Sequence, residues 1–136
     1  GALLVIERDI LVDYHIEFGT ELDCKVSNEI LNLIFIPSSP VHDGAALIRG
    51  GKIHSVGNFL PLSKNPLLDK NLGTRHRAAI GLTEESDAFV IIVSEENKSV
   101  GIVQSGHLTM MTEMGDLRKE LYDLYGLKFK AVDVTV

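Results

Sequence analysis

Cysteine is nearly absent from this sequence, and tryptophan is missing altogether. The single cysteine, Cys24, excludes an internal disulfide and a cysteine-based metal cage, and it favours a reducing, intracellular compartment. Long apolar runs are also missing, because the longest, residues 2–6 and 88–93, fall far short of the ~20 residues that span a bilayer. The opening residues show no signal peptide and already have the pattern of a strand, so we expect a domain from a longer protein.

Positive charge is scarce as well. Thirteen Lys and Arg stand against nineteen Asp and Glu, which gives a net charge of -6. This balance argues against broad binding to nucleic acid, which needs a basic face, but it does not exclude a phosphate ligand. The 136 residues include 45% hydrophobic and 24% charged ones. These values predict one folded domain, residues 1–136, that buries a core without disulfides.

The apolar pattern predicts both strands and helices. The runs 2–6 and 88–93 are fully apolar and indicate strands covered on both faces, the second of them central in the sheet. Gly50 and Gly51 predict a tight hairpin turn between strands 45–49 and 52–60. A further strand is predicted at 99–104.

Three helices are predicted between and after these strands. Ser27 is the expected N-cap of a helix at 28–35, which has an apolar stripe at Ile30, Leu31, Ile34 and Phe35. Thr74 is the expected N-cap of a helix that runs to about residue 86. A closing helix carries Leu117, Leu121 and Leu124, with Gly126 as its C′ residue. Residues 10–18 are ambiguous between helix and strand. The fold class is therefore α/β, a mixed β-sheet flanked by α-helices.

An unusual group of cations stands at the predicted start of the second helix. Arg75, His76 and Arg77 occupy a first turn where the helix dipole disfavours positive charge. A bound anion would explain them, with Gly73 allowing close approach and Thr74 adding a hydroxyl. The alternative is that the arginines pair on the surface with nearby carboxylates, which are Asp69, Glu84 and Glu85.

A second group of polar residues leads into the strand at 45–49. Asp43 could hold a divalent cation or accept a proton from a hydroxyl, and the ring of His42 could be a metal ligand. The alternative is a common Asp-Gly turn with an ordinary loop histidine. Ser94, Glu95 and Glu96 follow the apolar strand 88–93, where α/β sheets bind ligands, although a solvated turn is the alternative.

The two groups together resemble a known motif pair. His42-Asp43-Gly44-Ala45, followed by Gly73-Thr74-Arg75-His76-Arg77, is similar to the DGA and RHR motifs of the diadenylate cyclase (DAC) domain family. Residues 1–8 resemble the opening of the membrane-anchored, CdaA-type members. Blocks at 60–63, 65–66 and 93–96 also match, so the resemblance covers residues 1–108. Residues 109–136 match only loosely.

The resemblance implies an enzyme that condenses two ATP into cyclic di-AMP and releases two pyrophosphates. Each chain would bind one ATP with Mn²⁺ or Mg²⁺, and two chains would face each other in a homodimer. It further implies a cytoplasmic domain whose full-length protein is anchored in the bacterial cell membrane by an N-terminal segment, and regulatory protein partners are also expected. The alternative is a non-catalytic adenine-nucleotide sensor of the same fold, which would be expected to have lost Asp43 or a motif arginine.

The resemblance also implies roles for individual residues. Asp43, Arg75 and His76 would be catalytic, and the metal would lie at His42, Asp43 and Glu96. The ATP-binding residues would be Gly44, Ala45, Leu60, Gly73, Thr74, Arg75, His76, Arg77, Ser94 and Glu96. Within that set Arg77 would be supporting, and the backbone of Leu60 would contact adenine. The sequence departs from the family at Phe59 and at residues 97–99, where the turn after Glu96 differs.

Overall fold

The structure is a computed structural model that describes residues 1–126 and contains one sheet of seven strands. The strands are β1 (Ala2–Ile6), β2 (Thr20–Lys25), β3 (Ala45–Arg49), β4 (Lys52–Asn58), β5 (Phe89–Val93), β6 (Val100–Gln104) and β7 (His107–Met110). The helices are α1 (Asn28–Phe35), α2 (Thr74–Glu85) and α3 (Met114–Leu124). The strand order is β2-β4-β3-β1-β5-β6-β7, in which β1 and β3 are parallel and all other neighbours antiparallel. The predicted α/β class with a mixed sheet is confirmed.

Helices cover both faces of the sheet. Val5 and Val90 point to one face and pack in a core with residues of α2, among them Leu82. Ile6 and Phe89, next to them in the chain, point to the other face and pack with α3. Since successive strand residues alternate between faces, β1 and β5 are buried on both sides, and the prediction from their apolar runs is confirmed. α1 covers the second face near β3 and β4.

Several local predictions are confirmed by backbone geometry. Gly50 and Gly51 have φ of 59° and 77°, the left-handed values that this two-residue hairpin turn requires. The Ser27 hydroxyl accepts a hydrogen bond from the Ile30 N–H at 3.1 Å and caps α1. Gly126 follows α3 with φ 69°, and its N–H donates to Asp123 O at 3.2 Å.

The two edge strands and one cap differ from the predictions. β2 and β7 were not expected, because these strands carry polar, largely exposed residues that give no clear alternation. Residues 10–18 form neither a helix nor a strand, apart from a single bridge between Glu17 and Phe59. The N-cap of α2 is Gly73, so the assignment of Thr74 was wrong and Thr74 is the first helical residue.

The bounds of several elements are also shorter than predicted. The strand predicted at 52–60 ends at Asn58, and the strand predicted at 88–93 begins at Phe89. β1 is the central strand of the seven, and β5, which was predicted to be central, lies directly beside it. The predicted domain extends to residue 136, and residues 127–136 lie outside the described part of the chain.

Candidate active site

The two motifs meet at one edge of the sheet. Ala2 pairs with Val93 and Ala45 pairs with Asn58, so β1 and β3 begin where β4 and β5 end. The residues that precede β3 and those that follow β4 and β5 therefore lie together, and α2 begins at the same edge. This placement follows from the register of the strands, and no local pattern in the sequence shows it.

A groove of about 840 Å³ opens at this edge, a volume within the range of small-molecule sites. Most of the predicted site residues line it: Asp43, Gly44, Leu60, Gly73, Thr74, Arg75, His76, Ser94 and Glu96. Residues as far apart in the chain as Asp43 and Glu96 are thus brought into one site. Three other predicted residues, His42, Ala45 and Arg77, do not line the groove.

The start of α2 leaves its backbone amides available to a ligand. Gly73, the N-cap, has no side chain, and among residues 1–126 no side-chain hydrogen bond caps the first turn. The first turn contains no acidic residue. The N–H groups of a helix's first turn lack intrahelical acceptors and carry partial positive charge, so an anion in the groove would satisfy them. Gly73, Thr74 and the cation Arg75, from which the sequence predicted an anion site, thus all lie at the groove.

Arg75 places its charge in the groove and has one weak ionic partner. Its Nη1 lies 3.2 Å from Glu95 Oε2, and the Glu95 side chain is 74% exposed. An ion pair this exposed contributes little to stability, so a phosphate can replace the carboxylate at small cost. The alternative from the sequence was that Arg75 pairs with Asp69, Glu84 or Glu85. Arg75 does pair with a surface carboxylate, but that carboxylate belongs to Glu95.

His76 lies beside Arg75 and is half-buried. Burial, and then the positive charge of Arg75, lower the pKa of His76 below its ordinary value. The ring is therefore neutral at pH 7, where one of its nitrogens donates a hydrogen bond and the other accepts one. A neutral ring suits a phosphate oxygen or a hydroxyl equally well.

Asp43 also lines the groove, and an unusual turn follows it. Gly44 has φ 87°, and a Cβ at this position would lie 2.6 Å from Asn58 O, so only glycine fits here. The Asp43 side chain is 75% exposed and lies 3.4 Å, Oδ1 to Nε2, from His42. His42 Nδ1 lies 2.7 Å from Ser39 O, and because a carbonyl only accepts, Nδ1 must carry the proton. The other ring nitrogen, Nε2, is therefore the one that faces the carboxylate.

The donor set fits a divalent cation bound together with a phosphate ligand. Asp43 and Glu96 both line the groove, but within residues 1–126 no three His, Cys, Asp or Glu side chains are grouped as metal ligands. The predicted set of His42, Asp43 and Glu96 is thus not assembled as a three-ligand site. Mg²⁺ and similar ions commonly take one or two carboxylates and complete their shell with water and substrate phosphates.

Several residues of the groove were not predicted. They are Leu3, Asn58, Phe59, Leu62, Asn71, Leu72 and Ala78. Phe59, noted in the sequence only as a departure, is 58% exposed at the end of β4, which is unusual for a phenylalanine. Asn58 is fully buried, and its Oδ1 accepts from the Gly19 N–H at 2.9 Å. Nothing local in the sequence distinguishes these residues, since the folded chain alone brings them to the groove.

Comparison with known proteins gives consistent matches over this region. Residues 1–108 match the family described as "DAC: DisA bacterial checkpoint controller nucleotide-binding". The chain is similar to the diadenylate cyclase of Listeria monocytogenes, with 45% identity over 121 residues, 89% of this chain and 44% of that protein. It is also similar to the cyclic di-AMP synthase CdaA of Bacillus subtilis, with 49% identity over 108 residues, 79% of this chain and 40% of that protein.

A solved structure agrees with the fold. The crystal structure of DacA from Staphylococcus aureus, an N166C/T172C double mutant, superposes with a TM-score of 0.85 at 42% identity and covers 90% of this chain and 81% of that one. The chain spans less than half the length of the two curated relatives. Among residues 1–126, no helix is both long and apolar enough to cross a membrane.

Proposed function

The chain belongs to the DAC family, and from that premise we propose that it is a diadenylate cyclase, which joins two ATP molecules into cyclic di-AMP and releases two pyrophosphates. The observation that carries the proposal is one groove lined both by Asp43 and by the uncapped, cation-bearing start of α2. A nucleotidyl transfer needs both parts, a group that orients the nucleophile and a site that holds phosphates.

The triphosphate of ATP would lie at the start of α2. The free amides of the first turn, the guanidinium of Arg75 and the hydroxyls of Thr74 and Ser94 supply donors there. Leu60 and Phe59, which follow β4 in the same groove, supply an apolar surface for adenine. A phosphate oxygen of ATP would replace the Glu95 carboxylate as the partner of Arg75.

Asp43 is the residue suited to the nucleophile. Its exposed carboxylate would accept a hydrogen bond from the ribose 3′-hydroxyl and take its proton as the oxygen attacks the α-phosphorus of the facing ATP. A new P–O bond forms as the bond from the α-phosphorus to pyrophosphate breaks, and pyrophosphate leaves with the electron pair. Asp43 and Glu96 would hold Mn²⁺ or Mg²⁺, which when bound shields the phosphate charge from these carboxylates.

A single groove cannot complete this reaction, because the attacked phosphorus belongs to a second ATP. Two chains would therefore face each other about a two-fold axis, which makes the two attacks equivalent. Exposed apolar residues beside the site, Phe59 at 58% and Leu62 at 51%, support contact with a second copy.

We also propose that the whole protein is anchored to the bacterial membrane by a segment before β1. The support is the resemblance of residues 1–8 to membrane-anchored members, together with 49% identity to a relative named CdaA. The anchor would place this domain on the cytoplasmic side, where its substrate is made. Fractionation of cells that express the full-length protein tests this, and recovery of that protein in the soluble fraction would contradict it.

The test of the cyclase is incubation with ATP and Mn²⁺ or Mg²⁺, followed by mass spectrometry of the products. The protein is expected to make cyclic di-AMP, whereas Asp43→Asn is expected to lose at least about 100-fold of the activity. The control substrate is 3′-deoxy-ATP, which lacks the nucleophile and should give no product. The rate per chain should rise with protein concentration as facing dimers form.

The same experiment separates the enzyme from a nucleotide sensor. Binding of ATP with no cyclic product at high protein concentration would contradict the cyclase and favour the sensor. No binding of ATP, measured as no rise in melting temperature with Mn²⁺ present, would contradict both.

A further inference from the structure

Arg77 belongs to the cation group at the start of α2 but does not line the groove. Its Nε donates to Leu72 O at 3.3 Å, and its Nη2 donates to Asp69 O at 3.1 Å. Both acceptors are backbone carbonyls of the loop that leads into α2. Within the described residues Arg77 has no carboxylate partner, so its guanidinium is used on the chain itself.

The loop held by Arg77 forms part of the groove wall. Asn71 and Leu72 both line the groove, and Asn71 is exposed. The loop's own bonds are short-range: Leu72 N–H donates to Asp69 O at 3.2 Å, and Asn71 N–H donates to Asp69 Oδ1 at 2.9 Å. These bonds shape a turn but do not fix it against the helix. The two bonds from the Arg77 side chain connect that turn to α2.

The backbone of the same residue holds a second wall. Arg77 O accepts a hydrogen bond from Ser63 N–H at 3.0 Å, which joins α2 to the segment that carries Leu60 and Leu62. One turn later α2 approaches that segment closely, since a Cβ at Gly81 would lie 2.0 Å from Pro61 O. Arg77 thus contacts the two loops that bound the groove on the α2 side.

We propose that Arg77 is a positioning residue, whose side chain sets the loop at 69–72 as a wall of the nucleotide groove instead of binding the nucleotide. A cation near a helix N-terminus is disfavoured by the dipole, and charge-assisted bonds to two carbonyls offset this cost. A planar guanidinium can reach both carbonyls at once, but the single ammonium of lysine cannot do so in the same geometry. The identity of the ligand rests on the proposed function, whereas the loop contact does not.

The first test measures hydrogen exchange by mass spectrometry over residues 64–73 in the wild type, Arg77→Lys and Arg75→Lys. Arg77→Lys keeps the charge but cannot donate to both carbonyls at once. Amide hydrogen exchange at Leu72 and its neighbours should therefore be about tenfold faster. Arg75→Lys, which changes a residue inside the groove, should leave exchange in this loop as in the wild type. Unchanged exchange in Arg77→Lys would overturn the proposal.

The second test separates positioning from phosphate binding by charge. With ATP as substrate, Arg77→Lys and Arg77→Met should both raise KM about tenfold, with kcat within about twofold, because saturating ATP restores the loop. If Arg77 acted by its charge on a phosphate, lysine would restore KM towards the wild-type value and methionine would not; that result also overturns the proposal. If the wild type makes no cyclic product, the proposed function fails, and the exchange experiment alone decides the role of Arg77.

Discussion

The two ends of the sheet hold arginines in opposite circumstances. Arg49, at the end of β3, donates to Glu7 through Nε at 2.7 Å and Nη2 at 2.8 Å, and it also contacts Asp13. The Glu7 side chain is only 4% exposed and also accepts from Val12 N–H at 3.0 Å. Arg75, at the other end, has one carboxylate partner that is largely in solvent. Each arginine is charged, but of the two only Arg49 has a buried carboxylate as its partner.

This difference separates a charge that holds the fold together from one that is available to a ligand. The hydrogen bonds that Arg49 donates to Glu7, followed by its bond to Asp13, raise the pKa of Arg49 above its already high value, so Arg49 stays ionised and ties residues 7–13 to the sheet. At the groove, the Arg75–Glu95 contact and the open first turn of α2 leave donors for which the described chain provides few acceptors. A ligand is the natural partner for such donors.

The largest effect on function is expected from Arg75→Ala. Removal of one donor aimed at the transferring phosphate should lower kcat/KM by about 100-fold or more. The free energy of unfolding should change by less than about 0.5 kcal/mol, because the exposed pair contributes little. Steady-state kinetics and urea denaturation of the same preparation measure both. A large loss of stability with activity retained would reverse the comparison.

Glu7→Gln should show the opposite behaviour. The substitution keeps the shape but removes the charge from the buried partner of Arg49, which should destabilise the fold by about 3 kcal/mol. Urea denaturation measures this loss, and the affinity of the folded variant for ATP should equal that of the wild type. Weakened ATP binding in folded Glu7→Gln would show that the two ends of the sheet are coupled.

Gly81→Ala tests the packing that supports the groove. The added Cβ would lie 2.0 Å from Pro61 O and must displace that segment, so we expect a loss of about 2 kcal/mol in unfolding free energy together with a higher KM for ATP. The matched control is Gly115→Ala in α3, where a Cβ meets no atom of residues 1–126 within 4 Å. That change should leave stability unchanged or slightly increased. Equal effects of the two substitutions would contradict the close helix–loop contact.

The smallest effect expected is a pH dependence from His76. Because its pKa is lowered in the folded state, the unfolded chain binds the proton more readily as pH falls through and below 6.5. Stability from this group is therefore present above pH 6.5 and is lost in more acidic solution. The decline in unfolding free energy between pH 7.5 and 5.5 should be shallower in His76→Gln than in the wild type. Equal slopes of unfolding free energy against pH in the two proteins would show that burial of His76 does not make the stability depend on pH.

Local sequence patterns predicted much of the fold but missed its edges. β1 and β5 were predictable because strands buried on both faces must be apolar throughout. The turn at Gly50-Gly51 was predictable because few residues other than glycine adopt positive φ easily. β2 and β7 were not predictable from the sequence. Each is an edge strand, which is held by backbone hydrogen bonds to one neighbour and needs no distinctive side chains. The cap at Gly73 was missed because the Thr74 hydroxyl could cap a helix by a hydrogen bond, whereas glycine has no side chain that could do so.

For the candidate site, the sequence by itself determined which residues are expected to carry chemistry. Arg75 and His76 stand out as cations at a predicted helix start, and the resemblance to the DGA and RHR motifs adds Asp43 to them. The tertiary structure decided which of them meet. It brought Asp43, Arg75, His76 and Glu96 to one groove, and it turned Arg77 towards the loop at 69–72. The physical reason is that helix and strand patterns depend on neighbours a few residues apart. A binding site depends instead on strand register and helix docking, which join residues distant in the chain through the packing of the whole core.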